Sequence, residues 1–373
     1  MKRRLNMKKL ASRSTRLLLL LTALAVCGSA SAATTTFGIK PLDRRTTVNL
    51  GYFSGALHSV IFYIADEKGF FDELNLDVSY QSFSRGPAMM EAHSSWDFAS
   101  TGGPGSLVGI LAHPVKVVAI TDYEKEQSLY VRADSPIFKA GNGHIPGHPE
   151  IYGRPEDWKG TTWLLPVGTT MHKVLLNVLG KLGLRPGDIT MINMDVSSAF
   201  AAFRAGQGDG LGVWMSISLS AADAGFKKVA GATDEEKLVS CLLVTDAAMT
   251  NKAEAMQTVF DLYGKVMDWS REHKDEYIKY LLESCQIEGV ATTADITRRL
   301  TDTFGFFSAE LINRLMTTYV DDPRGLAGRK LSQGEADLLE MLDFFIVQGI
   351  YTEENRKFII DNHKISSQLA KKE

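Results

Sequence analysis

Cysteine is scarce in this chain: Cys27, Cys241 and Cys285 are the only three in 373 residues. So few exclude a scaffold built on disulfides and a cysteine-rich metal or iron–sulfur centre. No apolar run reaches the ~20 residues that a membrane span requires, and the one from Leu17 to Cys27 stops well short. A G-x-S-x-G elbow is missing, and neither Cys241 nor Cys285 stands in a recognisable nucleophile turn. No catalytic constellation is therefore expected, and no enzyme. His144 and His148 are four apart, but Pro146 and Gly147 between them forbid the helix that would bring them together, so no metal site is expected either. A basic surplus is also lacking, with 41 Lys and Arg against 44 Asp and Glu.

What basic charge there is stands at the front. Lys2, Arg3, Arg4, Lys8, Lys9, Arg13 and Arg16 precede the apolar run, no acid accompanies them, and the small residues Ala30-Ser31-Ala32 follow. This is the layout of a secretory leader over residues 1–32, with the periplasm as destination. Val26-Cys27 leaves open an acylated lipoprotein anchor at Cys27. Removing those seven basic residues from the 41 leaves 34 against 44 acids, a formal charge of −10. So acidic a chain excludes nucleic acid as partner, and it argues against an anionic membrane surface. Cys241 and Cys285 remain, either paired or as two buried small hydrophobes.

The remaining ~340 residues are too many for one compact core and point to two lobes. An internal echo supports them. "TVNLGYFSGALHSVIFYIADEKGFF" from Thr47 and "TTWLLPVGTTMHKVLLNVLGKLGL" from Thr161 both read strand, small-residue turn, helix and stop. Ser54 aligns with Thr169, Lys68 with Lys181 and Asp97 with Asp209, at offsets of 115, 113 and 112. Alternating strands and helices predict an α/β fold with parallel sheets in each lobe. The spacing predicts a discontinuous first lobe at 46–129 and 245–373 and a second at 130–244. "SLYVRAD" (128–134) and "SCLLVTD" (240–246) read as crossover strands and as the hinge. Beyond Thr250 the amphipathic stripes predict a helical tail packed on the first lobe, with Ser332 and Glu335 as a capping box. The Gly/Pro-rich stretch from Lys139 to Lys159 reads as a long surface loop.

In open α/β sheets a ligand sits beyond the carboxyl ends of the strands, where the next helices begin. Ser54-Gly55 and Thr169-Thr170 are such places, and helix starts offer free N–H donors to an anion. The turns holding Arg85-Gly86 and Thr101-Gly102-Gly103 supply more, and Arg85 is the charged candidate for a sulfonate or carboxylate. His58 and His172 follow the two first turns as oxyanion donors or as plain helix residues. Trp214 is a candidate cleft wall, with Met171 and Met215 around the ligand's apolar part and Ser216 beside them. Asp97 and Asp209 read as turn-bonding structural carboxylates.

These residues carry a family resemblance. The order "GYFSG…EKGFF…FSRGPAMMEAHSSWDFASTGGPGS…GTTMHKVLLNVLGKLGL…AAFRAGQGDGLGVW" resembles the periplasmic binding proteins of ABC importers for taurine, alkanesulfonates and nitrate. Gly86-Pro87, Met90-Glu91-Ala92, Asp97, Thr101-Gly102, Gly208-Asp209 and Val213-Trp214 stand where that family has its motifs. The resemblance implies a two-lobed type II binding protein, monomeric and without cofactor. It would close on a small organic anion, such as a sulfonate, and hand it to a membrane permease and its ATPase. Ser94-Ser95-Trp96, Gly105-Ser106 and "VWMS" (213–216) depart from the family pattern. Two alternatives stay open: an exported ligand sensor, and a binding protein or enzyme of the thiamine-pyrimidine type on the same fold.

Overall fold

The computed structural model describes residues 35–54, 57–233, 236–303 and 307–371. The leader expected over 1–32, and with it Cys27, lies outside the described residues, as does Gly55. Among the described residues no helix is long and apolar enough to cross a membrane.

Ten strands form two five-stranded sheets. They are β1 (Thr46–Phe53), β2 (Leu76–Phe83), β3 (Phe98–Gly102), β4 (Val115–Tyr123), β5 (Gln127–Val131), β6 (Thr162–Leu165), β7 (Thr190–Asn193), β8 (Gly210–Trp214), β9 (Lys227–Gly231) and β10 (Val239–Thr245). The first sheet runs β2-β1-β3-β10-β4 and the second β7-β6-β8-β5-β9, the same plan position for position. Parallel pairing joins β1 to β2 and β3, and β6 to β7 and β8. The fourth strand of each sheet is antiparallel to both neighbours and arrives from the other lobe. Strands β5, β8 and β10 are buried at every position, as interior strands covered on both faces must be.

That pairing bears out the two crossover strands read in the sequence: β5 and β10 each enter the other sheet and are bonded there on both edges. The chain passes from the first sheet to the second between β4 and β5 and returns between β9 and β10. The two crossings touch, the N–H of Glu124 donating to the Leu238 carbonyl at 2.8 Å. The echo read in the sequence has a physical counterpart at Asp97 and Asp209. Each carboxylate accepts a backbone N–H of its lobe's first strand, from Asn49 and Thr162 respectively, both at 2.8 Å.

Helices follow the strands: α1 (Leu57–Glu67), α2 (Gly86–Glu91), α3 (Gly103–Ala112), α4 (Thr170–Lys181), α5 (Val196–Arg204) and α6 (Met215–Asp223). The tail supplies α7 (Ala253–Glu272), α8 (Lys274–Glu288), α9 (Ala294–Thr303), α10 (Ala309–Thr317), α11 (Gln333–Val347) and α12 (Glu353–Asp361). α7 and α8 pack on α1, and α10 packs on β4, so the tail covers the first lobe as expected. It also reaches the second lobe, where α9 meets α6 and Arg299 pairs with Asp223 at 3.0 Å. Deep in this tail Arg356 grips Asp322 with two N–H groups, at 2.6 and 3.1 Å, and Asp343 with a third at 2.8 Å.

The 139–159 stretch is more than a surface loop. Ile145, Ile151 and Trp158 within it are buried, and Trp158 stacks on Trp163 at 4.8 Å between ring centres. Cys241 and Cys285 are both free and buried, which settles their alternatives in favour of small hydrophobes.

Candidate functional site

The facing carboxyl ends of the two sheets line a narrow cavity of about 30 Å³, room for a water molecule or two. Its first-lobe wall holds Phe53, His58, Gly86, Pro87, Thr101, Gly102, Pro104 and Gly105, and its second-lobe wall Gly168, Thr169, Thr170, Trp214 and Met215. Glu124, on the crossing, completes it.

Three helices of nine or more residues start on this wall: α3 behind Gly102, α4 behind Thr169 and α6 behind Trp214. None of the three has a side-chain cap. Thr169, well suited to cap α4, turns its hydroxyl away and donates to the Pro166 carbonyl at 2.7 Å. Of the helices that start elsewhere, α5 is capped by Asp195, α10 by Ser308, α11 by Ser332 and α12 by Thr352, whereas α7 and α8 in the tail have no side-chain cap either. On the wall the three uncapped starts leave backbone donors open beside the cavity, and aligned peptide dipoles give those ends a partial positive charge.

Close packing brings the wall together. A Cβ on Gly105 would stand 2.8 Å from the Gly86 Cα, so only glycine lets α2 and α3 approach this nearly. Met215 opens α6 with φ of 52°, in the left-handed region that side chains avoid, and its N–H is held by the Glu126 carbonyl at 2.8 Å. Across the mouth the Phe53 and Trp214 rings meet edge to face at 5.7 Å.

Glu124 is the charged group of the wall, and sequence reading missed it. Its carboxyl accepts from the Thr170 hydroxyl at 2.7 Å, from the Ser240 hydroxyl at 3.0 Å and from the Gln127 amide. Thr170 belongs to the second lobe and Ser240 to the first, so one carboxyl touches both. Burial pushes its pKa up to about 7, against the lowering effect of those three hydrogen bonds. Asp122, two residues back and buried, is raised to about 8 by burial and then by the charge of Glu124. His58 bonds Ser100 at 2.9 Å, and burial lowers it to about 4, which leaves it neutral at pH 7.

Of the residues expected from the sequence, His58, Gly86, Thr101, Gly102, Thr169, Thr170, Trp214 and Met215 come together on the wall. Six others stand off it. Ser54 extends β1, its N–H bonded to the Phe83 carbonyl, and Arg85 precedes α2 beside the wall. Gly103 packs towards Met341 and Val239. Met171 is fully buried against Gly212 in the second lobe, and Ser216 is buried one residue past the wall. His172 folds back, its Nδ1 accepting from the Gly168 N–H at 3.4 Å, and burial lowers it to about 4. Only a faint sign pointed to Glu124, an acid directly after the apolar strand that leads to a crossing.

No family model matches the chain. A protein of Brucella abortus named as a binding protein is 29% identical over 169 residues, 45% of this chain and 47% of that protein. The match thus spans about half that relative's length. A protein of Brachyspira hyodysenteriae named as an ABC transporter periplasmic binding protein is 24% identical over 294 residues, 78% of this chain and 79% of its own. The taurine-binding periplasmic protein of Escherichia coli is 28% identical over 145 residues, 39% of this chain and 41% of its own. Among solved structures, the alkanesulfonate-binding protein of Xanthomonas axonopodis pv. citri bound to MOPS has a TM-score of 0.64 at 18% identity, over 87% of this chain and 99% of that one. The periplasmic nitrate-binding protein of Synechocystis has a TM-score of 0.61 at 15% identity, over 87% of each. The two-lobed architecture is that of the periplasmic binding proteins.

Proposed function

We propose that this chain is the solute-binding component of an ABC importer, which closes on a small organic anion outside the inner membrane and delivers it to the permease. The observation that carries the reading is the set of three uncapped helix starts, from both lobes, turned on one cavity. An anion there would take N–H donors from each lobe at once, so its binding favours the closed arrangement over the open one. The ligands in the names of the relatives and neighbours are sulfonate and nitrate anions, which supports the same class. The leader read in the sequence supports export to the periplasm.

A thermal-shift screen on protein freed of bound ligand by unfolding and refolding tests this reading. Taurine, isethionate, short and long alkanesulfonates, nitrate, bicarbonate, aromatic carboxylates and thiamine pyrimidines form the panel. A true ligand at about 100 times its Kd adds about 2.7 kcal/mol and moves the midpoint by several degrees. The anion reading fails if only neutral or purely cationic compounds shift it.

A further inference from the structure

We infer that Glu124 is the specificity-determining residue of the cavity and seats an ammonium group of the ligand, so that the bound anion is a zwitterion with its acid and amine ends a few bonds apart. The inference rests on the proposed anion site and narrows it.

A cavity meant for an anion alone would gain nothing from a carboxyl on its wall, because like charges repel and neither is screened by water there. Yet Glu124 is on the wall, and the three side chains that bond it, Thr170, Ser240 and Gln127, are all neutral donors. No lysine or arginine lines the cavity among the described residues, and His58 is neutral, so the wall itself supplies no cation to Glu124. Beside it Gln127, 1% exposed, leaves its carbonyl oxygen without a donor among the described residues. Glu124 is thus the one carboxyl lining the cavity among the described residues, while the helix starts supply donors. Trp214 adds an aromatic ring to the same wall, and aromatic rings attract ammonium groups.

The two regions are close. A Cβ on Gly102, the residue that opens α3, would stand 3.0 Å from Glu124 Oε1, and Thr170 at the start of α4 already bonds Oε2. A ligand reaching both must carry its charges in near succession, as a short ω-amino sulfonate or ω-amino carboxylate does. The ammonium also supplies what a partly protonated Glu124 lacks, a charge partner that favours its ionised form.

The test is calorimetric titration of the ligand-stripped chain with matched pairs: taurine against ethanesulfonate, 3-aminopropanesulfonate against propanesulfonate, and β-alanine against propionate. At least one amine-bearing member should bind tighter than its partner by about tenfold or more, the worth of one charge-assisted hydrogen bond. In Glu124→Gln that ratio should fall towards one, whereas a carboxyl that merely latched the lobes would weaken both members of a pair alike. If the amine-free anions bind as tightly as their partners in the unaltered protein, the inference is overturned and the anion reading stands. If ethylamine or ethylenediamine binds and no anion does, both are overturned; if none of these compounds binds while another anion of the wider panel does, the inference is overturned and the anion reading stands.

Discussion

The ring of Phe53, at the end of the first lobe's leading strand, meets the ring of Trp214 in the second lobe edge to face, with 5.7 Å between centres. The contact spans the two lobes, so on the proposed closing motion it would be lost when they part. Such a pair contributes about 0.5–1.5 kcal/mol beyond the area it buries. Trp214→Ala should therefore weaken binding of the ligand found by screening by about tenfold or more, since wall and latch are lost together. Small-angle scattering of the ligand-free variant should give a larger radius of gyration than the unaltered protein gives.

Met215 holds a left-handed backbone that glycine adopts freely. Strain of this kind costs about 1–3 kcal/mol and persists where the surroundings impose it. Met215→Gly should leave the melting temperature of the ligand-free protein unchanged or raised, while ligand affinity falls because the wall loses a side chain. A melting temperature several degrees lower would show that Met215 supports the fold through its packing and that the turn carries no strain.

The pH dependence of stability should carry the mark of Asp122. Its carboxyl is raised by burial from 3.8 to about 8, so the folded form holds the proton more tightly than the unfolded chain does. The stabilisation is complete below about pH 4 and is lost as pH rises through about 8. Glu124 shifts in the same direction, whereas His58 and His172, lowered to about 4, oppose it below pH 6.5. Asp122→Asn removes only the first of these. Its melting temperature relative to the unaltered protein should thus climb steadily between pH 5 and pH 8, and a difference independent of pH would refute the assignment.

Arg356 and Asp322, both buried, fasten the 321–331 segment to α12. Burial alone would raise the Asp322 carboxyl, but hydrogen bonds from Arg356 and from the Arg324 and Leu326 N–H groups hold it at about 2. Arg356→Ala would strand Asp322 without its buried partner, at a cost of about 3–5 kcal/mol. Denaturant unfolding should register that loss while ligand affinity, set by wall residues that Arg356 does not bond, stays as it was.

Much of this was legible in the sequence because it rests on local rules. The echo between Thr47 and Thr161 is periodicity plus turn chemistry, and it recovered two α/β lobes and the helix starts at Thr101-Gly102 and Thr169-Thr170. Side-chain direction was not legible. Met171 and His172 follow Thr170 directly, yet the first turn of α4 points them into the lobe while Thr170 faces the cavity. Glu124 was hidden for another reason. Only its place just after an apolar strand marks it, and its partners Thr170 and Ser240 are 46 and 116 residues away. "SLYVRAD" and "SCLLVTD" were legible as crossover strands, but not the neighbours that bond them on both edges, which lie far away in sequence.

The hydrogen bond from Glu124 to Leu238 joins the point where the chain leaves the first lobe to the point where it returns. Seen this way the second lobe is a cassette, entered and left through one doorway. Residues between the crossings could be exchanged for the corresponding piece of a related protein without rethreading the first sheet, provided that the antiparallel strand each lobe lends the other travels with its host sheet. Half of the cavity wall would change with the cassette and half would stay, so a new ligand preference could be assembled by recombination where point mutation would need several steps at once.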